Sequence, residues 1–321
     1  MTSRSQVDYS IIIPVYFNEG ALTNTLAALT DEVIAKHPER SCEVIFVDDG
    51  SRDGSFEELM RLRAAAPRLI RVIKFTRNFG QVNALMAGFE LARGKCVVAM
   101  SADGQDPPGL INDLLKGHFD DGYEVVVCTR QGRDESYYRV VTSKLFYAAM
   151  RWLTFPNMPP GGFDFVLLGR RAVTVLLENR DSHLFLQGQI LWMGFTTKFI
   201  AYERRKRQIG TSRWTFGRKL TYLIDGILSY SYFPIRFISC TGIVFALIGF
   251  IYAAVVVLNK VLLGNAVKGW TPLMVVVLVI GGLQMMMLGV IGEYLWRTLS
   301  QVRKRSDYII DAVYEDAGEN A

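Results

Sequence analysis

Two stretches of this chain carry no charged residue for longer than a bilayer is thick. Phe237 to Leu258 spans 22 residues and Trp270 to Gly292 spans 23, and neither contains Asp, Glu, Lys or Arg. About 20 apolar residues suffice to cross hydrocarbon as a helix, whereas a helix buried in a soluble core normally keeps one polar face. Two transmembrane helices, about 236–258 and 270–292, are therefore expected, and the 230-odd residues before them must supply a separate folding unit. Charge placement orients the pair. Arg204, Arg205, Lys206, Arg207, Arg213, Arg218 and Lys219 precede the first span, Arg297, Arg303, Lys304 and Arg305 follow the second, and only Lys260 and Lys268 lie between. The positive-inside rule then puts the N-terminal domain and both chain ends in the cytoplasm, and the protein in the inner membrane as a multi-pass protein. Basic clusters beside spans fit anionic lipid heads, so no nucleic-acid partner is expected. Met1 to Asp8 is polar and reads as no signal peptide.

The expected domains are 1–212, a soluble α/β unit; 213–234, an interfacial amphipathic helix rich in Trp and Tyr; 235–297, the hairpin; and 298–321, a cytoplasmic tail. Within the first unit, strands are expected at Tyr9–Tyr16, Cys42–Val47, Leu69–Phe75, Cys96–Met100 and Tyr123–Thr129. Helices are expected at Ala21–Lys36, Ser55–Ala66, Gln81–Ala92 and Leu110–Phe119. This alternation implies a mainly parallel sheet flanked by helices. Further on, Tyr137–Leu153, Arg171–Glu178 and Leu184–Met193 read as helices, with a Pro/Gly-rich break at 156–162 and a strand at Phe195–Tyr202. The four cysteines show no paired spacing and read as reduced thiols; the three histidines show no metal-ligand spacing.

Strand-terminal loops carry the chemistry of such sheets. Strand four stops at Ser101 and delivers Asp103, Gln105 and Asp106 before two prolines. Oxygen donors this close suit a hard divalent cation, Mg2+ or Mn2+, which typically also engages phosphates. Strand two ends in Asp48-Asp49-Gly50-Ser51, where carboxylates can accept from a base N–H or from ribose hydroxyls. Phe17-Asn18-Glu19-Gly20 after strand one is not a dinucleotide-binding Gly-x-Gly-x-x-Gly turn. Gly88 to Lys95 follows a phosphate-loop pattern only superficially, with one residue too many and Cys96 where a hydroxyl belongs.

Four segments in order, Pro14-Val15-Tyr16-Phe17-Asn18-Glu19, Val47-Asp48-Asp49-Gly50-Ser51, Arg77-Asn78-Phe79-Gly80 and Ala102-Asp103-Gly104-Gln105-Asp106-Pro107-Pro108, together resemble the family 2 (GT-A) glycosyltransferases. Within that family they are similar to the branch containing dolichol-phosphate mannose synthase and bactoprenol-phosphate glucosyltransferase. The resemblance runs through Gly210-Thr211-Ser212-Arg213-Trp214 and the two closing spans. It implies inverting transfer of a sugar from a nucleotide-sugar, with uridine the favoured base, to polyprenyl (undecaprenyl or dolichyl) phosphate. Carried over, Pro14, Tyr16, Glu19, Asp48, Asp49, Gly80, Ser101 and Ala102 would contact the nucleotide-sugar, and Asp103 and Gln105 would bind the metal. Asp103 and Asp164 would be the catalytic carboxylates. Arg130, Arg139, Ser143, Arg204, Arg207 and Arg213 would bind the lipid phosphate. The resemblance also implies a homo-oligomer, a tetramer.

Two positions depart from the family pattern. Ser101 stands where the metal loop has its first aspartate, which costs the site one charge. Val166 stands where relatives carry a polar or basic residue after the Asp164-aromatic pair. A phosphate monoester is largely deprotonated above its second pKa near ~6, so Asp164 reads as a positioning residue rather than a base. Two alternatives remain: a non-catalytic membrane subunit that binds nucleotide or lipid, motivated by Ser101, and a processive polysaccharide synthase. The second is disfavoured because Gln208 lies too far before Arg213-Trp214 and two spans enclose no channel.

Overall fold

The computed structural model describes residues 7–130, 147–148, 150–180, 185–203, 226–263, 269–303 and 305–315. The chain divides into two compact units: residues 1–223 with 306–321, and residues 224–305.

The first unit is built on an eight-stranded sheet. Its strands are β1 (Tyr9–Val15), β2 (Cys42–Asp48), β3 (Ile70–Phe75), β4 (Cys96–Ala99), β5 (Val125–Arg130), β6 (Phe165–Gly169), β7 (Thr197–Tyr202) and β8 (Ile310–Tyr314), in the order β7-β5-β6-β4-β1-β2-β3-β8. The helices are α1 (Leu22–Glu32), α2 (Ser55–Ala65), α3 (Gln81–Leu91), α4 (Leu110–Phe119), α5 (Arg170–Glu178) and α6 (Leu186–Trp192). Strands β1, β2, β3 and β4 pair in parallel, as does β5 with β7. The near-continuous apolar runs of β1 and β2 are what a strand covered on both faces requires. Ile11, Ile13 and Val15 join Leu22 and Leu29 of α1, Leu59 of α2 and Leu114 of α4 in one buried cluster. On the other face Ile12 meets α3 at Gly88, where a Cβ would lie 2.4 Å from the Ile12 side chain. The residue that opened the superficial phosphate-loop pattern is thus a packing contact inside a helix.

Two strands were not anticipated. β6 lies antiparallel between β4 and β5, and Val166 pairs with Ala99 and Val127 in the core. This explains an apolar residue at that departure from the family pattern. β8, from the tail beyond the spans, pairs antiparallel with β3. Glu315 at its end forms ion pairs with Arg71 at 3.1 Å and Arg93 at 2.8 Å, while Arg71 also meets Glu43 at 2.8 Å. The expected helix at 21–36 ends at Glu32, followed by a 3-10 turn at Ile34–Lys36. Most of the expected helix at 137–153 lies outside the described residues.

The second unit consists chiefly of α7 (Phe233–Leu263) and α8 (Trp270–Val302). Both are long and apolar enough to cross a membrane, with the qualifying segments at Phe233–Tyr252 and Val279–Val302. Pro234 and Pro272 sit in their first turns, where a missing N–H costs no helical bond. Glu293 pairs with Arg297 one turn on at 3.3 Å. Of the interfacial segment 213–234, residues 213–225 lie outside the described residues.

Candidate active site

Parallel strands end their carboxyl termini on one edge of the sheet. Asp48 closes β2, Ser101 follows β4, Arg130 closes β5 and Tyr202 closes β7. β6 runs the other way, so its start reaches the same edge, and Asp164 immediately precedes it.

The first two motifs are stitched together through backbone amides. The Phe17 N–H donates to Ser51 Oγ at 3.2 Å, the Asn18 N–H to Ser55 Oγ at 2.9 Å, and the Gly54 N–H to a Glu19 carboxylate oxygen at 3.1 Å. Phe17 takes the left-handed conformation, φ 55°, and its ring meets that of Tyr16 edge-on at 4.6 Å. Pro14 and Tyr16 are half-buried and Glu19 is exposed.

The two adjacent aspartates have different surroundings. Asp49 is buried and accepts from the Phe79 N–H at 2.6 Å, the Gly80 N–H at 2.9 Å and the Asn78 side-chain amide at 3.0 Å. It therefore holds the Arg77–Gly80 segment in place, and burial pushes its carboxyl up to about 6 despite those bonds. Gly50 permits the approach: its φ is +69°, and a Cβ there would lie 2.5 Å from the Arg77 carbonyl carbon. Asp48 accepts from the Ser51 N–H at 3.1 Å through one oxygen. Its other oxygen is buried without a hydrogen-bond partner among the described residues, and burial raises its pKa. Such an orphaned acceptor is costly unless a ligand completes it.

The loop after β4 is anchored by the Met100 N–H on the Ile12 carbonyl and by Thr25 Oγ1 on the Ala102 carbonyl, at 3.0 and 3.3 Å. Ala102 is buried, whereas Ser101, Asp103 and Gln105 are half-buried. Ser101 Oγ lies 3.0 Å from Asp103 Oδ1 and also bonds Asp106, and the Gln105 N–H caps Asp103 at 3.1 Å. Among the described residues no group of three or more His, Cys, Asp and Glu is placed for a metal. The loop instead offers one carboxylate, a hydroxyl and a carboxamide, all hard oxygen donors of the kind Mg2+ and Mn2+ accept.

Asp106 is buried, and Tyr202 donates to it at 2.7 Å. Tyr202 stands opposite Arg130 in the β5–β7 register. Arg130 forms an ion pair with Asp164, whose other oxygen accepts from Gln187 Nε2 at 3.1 Å. Burial alone would lower the guanidinium pKa, but the charge of Asp164 and the neighbouring Tyr202 and Asp106 outweigh it and leave it raised. The structure thus brings Asp48, Asp49, Gly80, Ser101, Ala102, Asp103, Gln105, Arg130 and Asp164 to one edge. Arg139, Ser143, Arg204, Arg207 and Arg213 lie outside the described residues.

Asp106, expected with Asp103 and Gln105 as an oxygen donor for the cation, is instead buried with its two oxygens bonded to Ser101 and Tyr202. Gln187 and Tyr202 complete this network and were not among the expected site residues. A glutamine inside the apolar run Phe185-Leu186-Gln187-Gly188-Gln189-Ile190, and a tyrosine ending a strand, were the available signals.

A mixed sheet with its polar groups gathered at this edge is the arrangement expected of a GT-A glycosyltransferase. The family model described as glycosyl transferase family 2 matches residues 10–174, and the chain belongs to that family. It is 35% identical to a putative glycosyltransferase, CsbB, of Bacillus subtilis over 302 residues, covering 94% of this chain and 90% of that one. It is 32% identical to a prophage bactoprenol glucosyl transferase homolog of Escherichia coli over 305 residues, 95% of this chain and 98% of that one. Among solved structures, a glucosyl-3-phosphoglycerate synthase of Mycobacterium tuberculosis, in complex with Mn2+, UDP-glucose and phosphoglyceric acid, aligns at a TM-score of 0.47 and 17% identity. That alignment covers 70% of this chain and 79% of that one.

Proposed function

We propose that this enzyme moves a sugar from a nucleotide-sugar, a UDP-sugar by preference, to polyprenyl phosphate at the cytoplasmic membrane face. The observation that carries this reading is the meeting, on one sheet edge, of the nucleotide-side carboxylate Asp48, the Ser101–Gln105 loop and the Arg130–Asp164 pair. Full-length similarity to relatives named as bactoprenol glucosyl transferases supports the acceptor.

Asp48 offers its unpartnered oxygen to a base N–H or ribose hydroxyl, and the segment clamped by Asp49 closes the nucleotide side. Asp103 and Gln105 would hold the divalent cation. When bound, it supplies Lewis-acid stabilisation of the leaving diphosphate. Arg130 binds the acceptor phosphate, since guanidinium groups match phosphate oxygens in a fork. By resemblance Arg139, Ser143, Arg204, Arg207 and Arg213 join it. Asp164, with both oxygens engaged by Arg130 and Gln187, orients the arginine rather than abstracting a proton. An acceptor phosphate oxygen attacks the anomeric carbon as the bond to the diphosphate oxygen breaks. Nucleoside diphosphate leaves and the configuration inverts.

Connectivity supports the membrane assignment. The chain leaves the first unit, passes through two membrane-length helices and returns to pair β8 with β3. A soluble unit can be re-entered only after an even number of crossings, and the flanking basic residues favour the cytoplasmic side. Withdrawing a polyprenyl chain from the bilayer costs about 0.8 kcal/mol per methylene, so an enzyme tethered to the membrane meets its acceptor there. Assembly as a homo-oligomer, a tetramer, belongs to the same reading.

Purified protein, Mg2+ or Mn2+, radiolabelled nucleotide-sugars and undecaprenyl phosphate test it. Lipid-linked label with inverted configuration is expected. Binding of nucleotide without transfer from any donor would refute it and favour a non-catalytic subunit.

A further inference from the structure

The first aspartate of the family metal loop is Ser101 here, and the surroundings of that hydroxyl show what it can do in that place. Ser101 Oγ has two carboxylate oxygens within reach, Asp103 Oδ1 at 3.0 Å and Asp106 Oδ2 closer. A hydroxyl carries one hydrogen and two lone pairs, so it donates to only one of them. Asp106 is 2% exposed, and a buried carboxylate loses most when a donor is withdrawn. Asp103 is half-buried and already accepts from the Gln105 N–H. The hydrogen therefore belongs to Asp106.

Donation toward Asp106 leaves Ser101 Oγ and Asp103 Oδ1 facing each other with no hydrogen between them. Two lone-pair oxygens at 3.0 Å repel, and a cation lying beside both would turn that contact into a shared coordination edge. Octahedral Mg2+ coordination at about 2.0–2.1 Å sets adjacent ligand oxygens roughly 2.8–3.0 Å apart, which is the spacing present. A hydroxyl that donates to a carboxylate is also the more strongly polarised acceptor or ligand. Tyr202 braces the arrangement from the end of β7, holding the other Asp106 oxygen at 2.7 Å.

We infer that Ser101 is a metal ligand in this protein, and that Asp106, braced by Tyr202, acts behind it as the positioning residue that fixes and polarises its hydroxyl. This rests on the metal reading of the loop, not on the identity of sugar or acceptor. Asp106 itself, with both oxygens committed, stays out of the coordination shell.

Mn2+ alone, titrated into full-length protein in detergent and followed by the EPR signal of the free ion, tests it. Asp106→Asn should weaken binding about tenfold, the loss usual for an outer-shell partner, and Ser101→Ala, which removes the ligand itself, at least as much. The double variant should bind no more weakly than Ser101→Ala alone, because Asp106 acts through Ser101. Adding Ser101→Asp to Asp106→Asn should restore affinity to within about threefold of the unmodified protein. Unchanged affinity in Asp106→Asn, or multiplied losses in the double variant, would overturn the inference. If Asp106→Asn does not fold, Tyr202→Phe takes its place: a loss of about threefold, absent from a Ser101→Ala background, is expected. Unmodified protein that binds no Mn2+ also overturns the inference. Failure of sugar transfer, by contrast, does not enter this measurement.

Discussion

Replacing Asp164 by asparagine separates positioning from proton abstraction. The Asp164 carboxylate is half exposed, at 49%, whereas its partner Arg130 is 16% exposed. The pair therefore falls between exposed ion pairs, worth about 0.2–1 kcal/mol, and buried ones, whose breakage costs about 3–5 kcal/mol. Solvent screening on the aspartate side places the loss near the lower range, about 1–2 kcal/mol. At about 1.4 kcal/mol per decade, that is roughly five- to thirty-fold in kcat/KM. A general base would cost about 10²–10⁴-fold. The assay is transfer of labelled sugar across pH 5.5–8.5 with polyprenyl phosphate varied. The loss should appear mainly in the acceptor KM, and the acid limb should persist because it belongs to the acceptor phosphate, whose second pKa is near ~6. Gln187→Leu, which removes the 3.1 Å bond to the same carboxylate, should move the acceptor KM in the same direction by less. A kcat fall above a hundredfold, with the acid limb abolished, would refute the positioning role.

Gly50→Ala should cost about 2–4 kcal/mol, combining left-handed strain of about 1–2 kcal/mol with a Cβ placed 2.5 Å from backbone; thermal unfolding reads it, and an unchanged Tm would contradict the close approach. Asp48→Asn should weaken nucleotide binding about tenfold by calorimetry, since an amide nitrogen turned toward a donor cannot accept. Asp49 gives a pH signature. Its carboxyl rises from 3.8 to about 6 on folding, so the stability it contributes is present below about pH 4 and lost as pH rises through about 6. The stability of the unmodified protein relative to Asp49→Asn should thus fall by about 2 kcal/mol between pH 4 and 7, measured by denaturant unfolding; a flat difference would contradict the burial. Glu315→Ala should release β8 and lower unfolding stability by about 1–3 kcal/mol, since Arg71 and Arg93 lose a shared partner.

Much of the first unit is legible because its strands are apolar runs cut off by polar turns. β1, β2, β3 and β4, and α2, α3 and α4, lie within one or two residues of their expected bounds. The adjacency of Asp48 and Asp49 was less informative. Successive residues in extended chain point to opposite faces, so two neighbouring aspartates seldom serve one ligand. Which of them clamps the Arg77–Gly80 segment depends on a loop about 30 residues away. Tyr202 and Gln187 were hidden for a similar reason, since their partners are set by strand register and helix placement. β8 pairs Val72 with Tyr314, and no local pattern reports a partner at that separation.

The decisive unread feature is the direction of β6. A five-residue apolar run looks the same whether it pairs parallel or antiparallel. Had Phe165–Gly169 run parallel to β4, Asp164 would lie at the opposite edge, roughly 16 Å away at about 3.3 Å per residue. Antiparallel insertion instead sets it beside Arg130 and one strand from the Ser101 loop. The same reversal seats Val166 in the core, so the position that departs from the family pattern is spent on sheet packing. One strand's polarity is therefore what sets Arg130 and Asp164 on the edge that also carries Asp48 and Asp103, as the proposed meeting of acceptor phosphate and nucleotide-sugar requires.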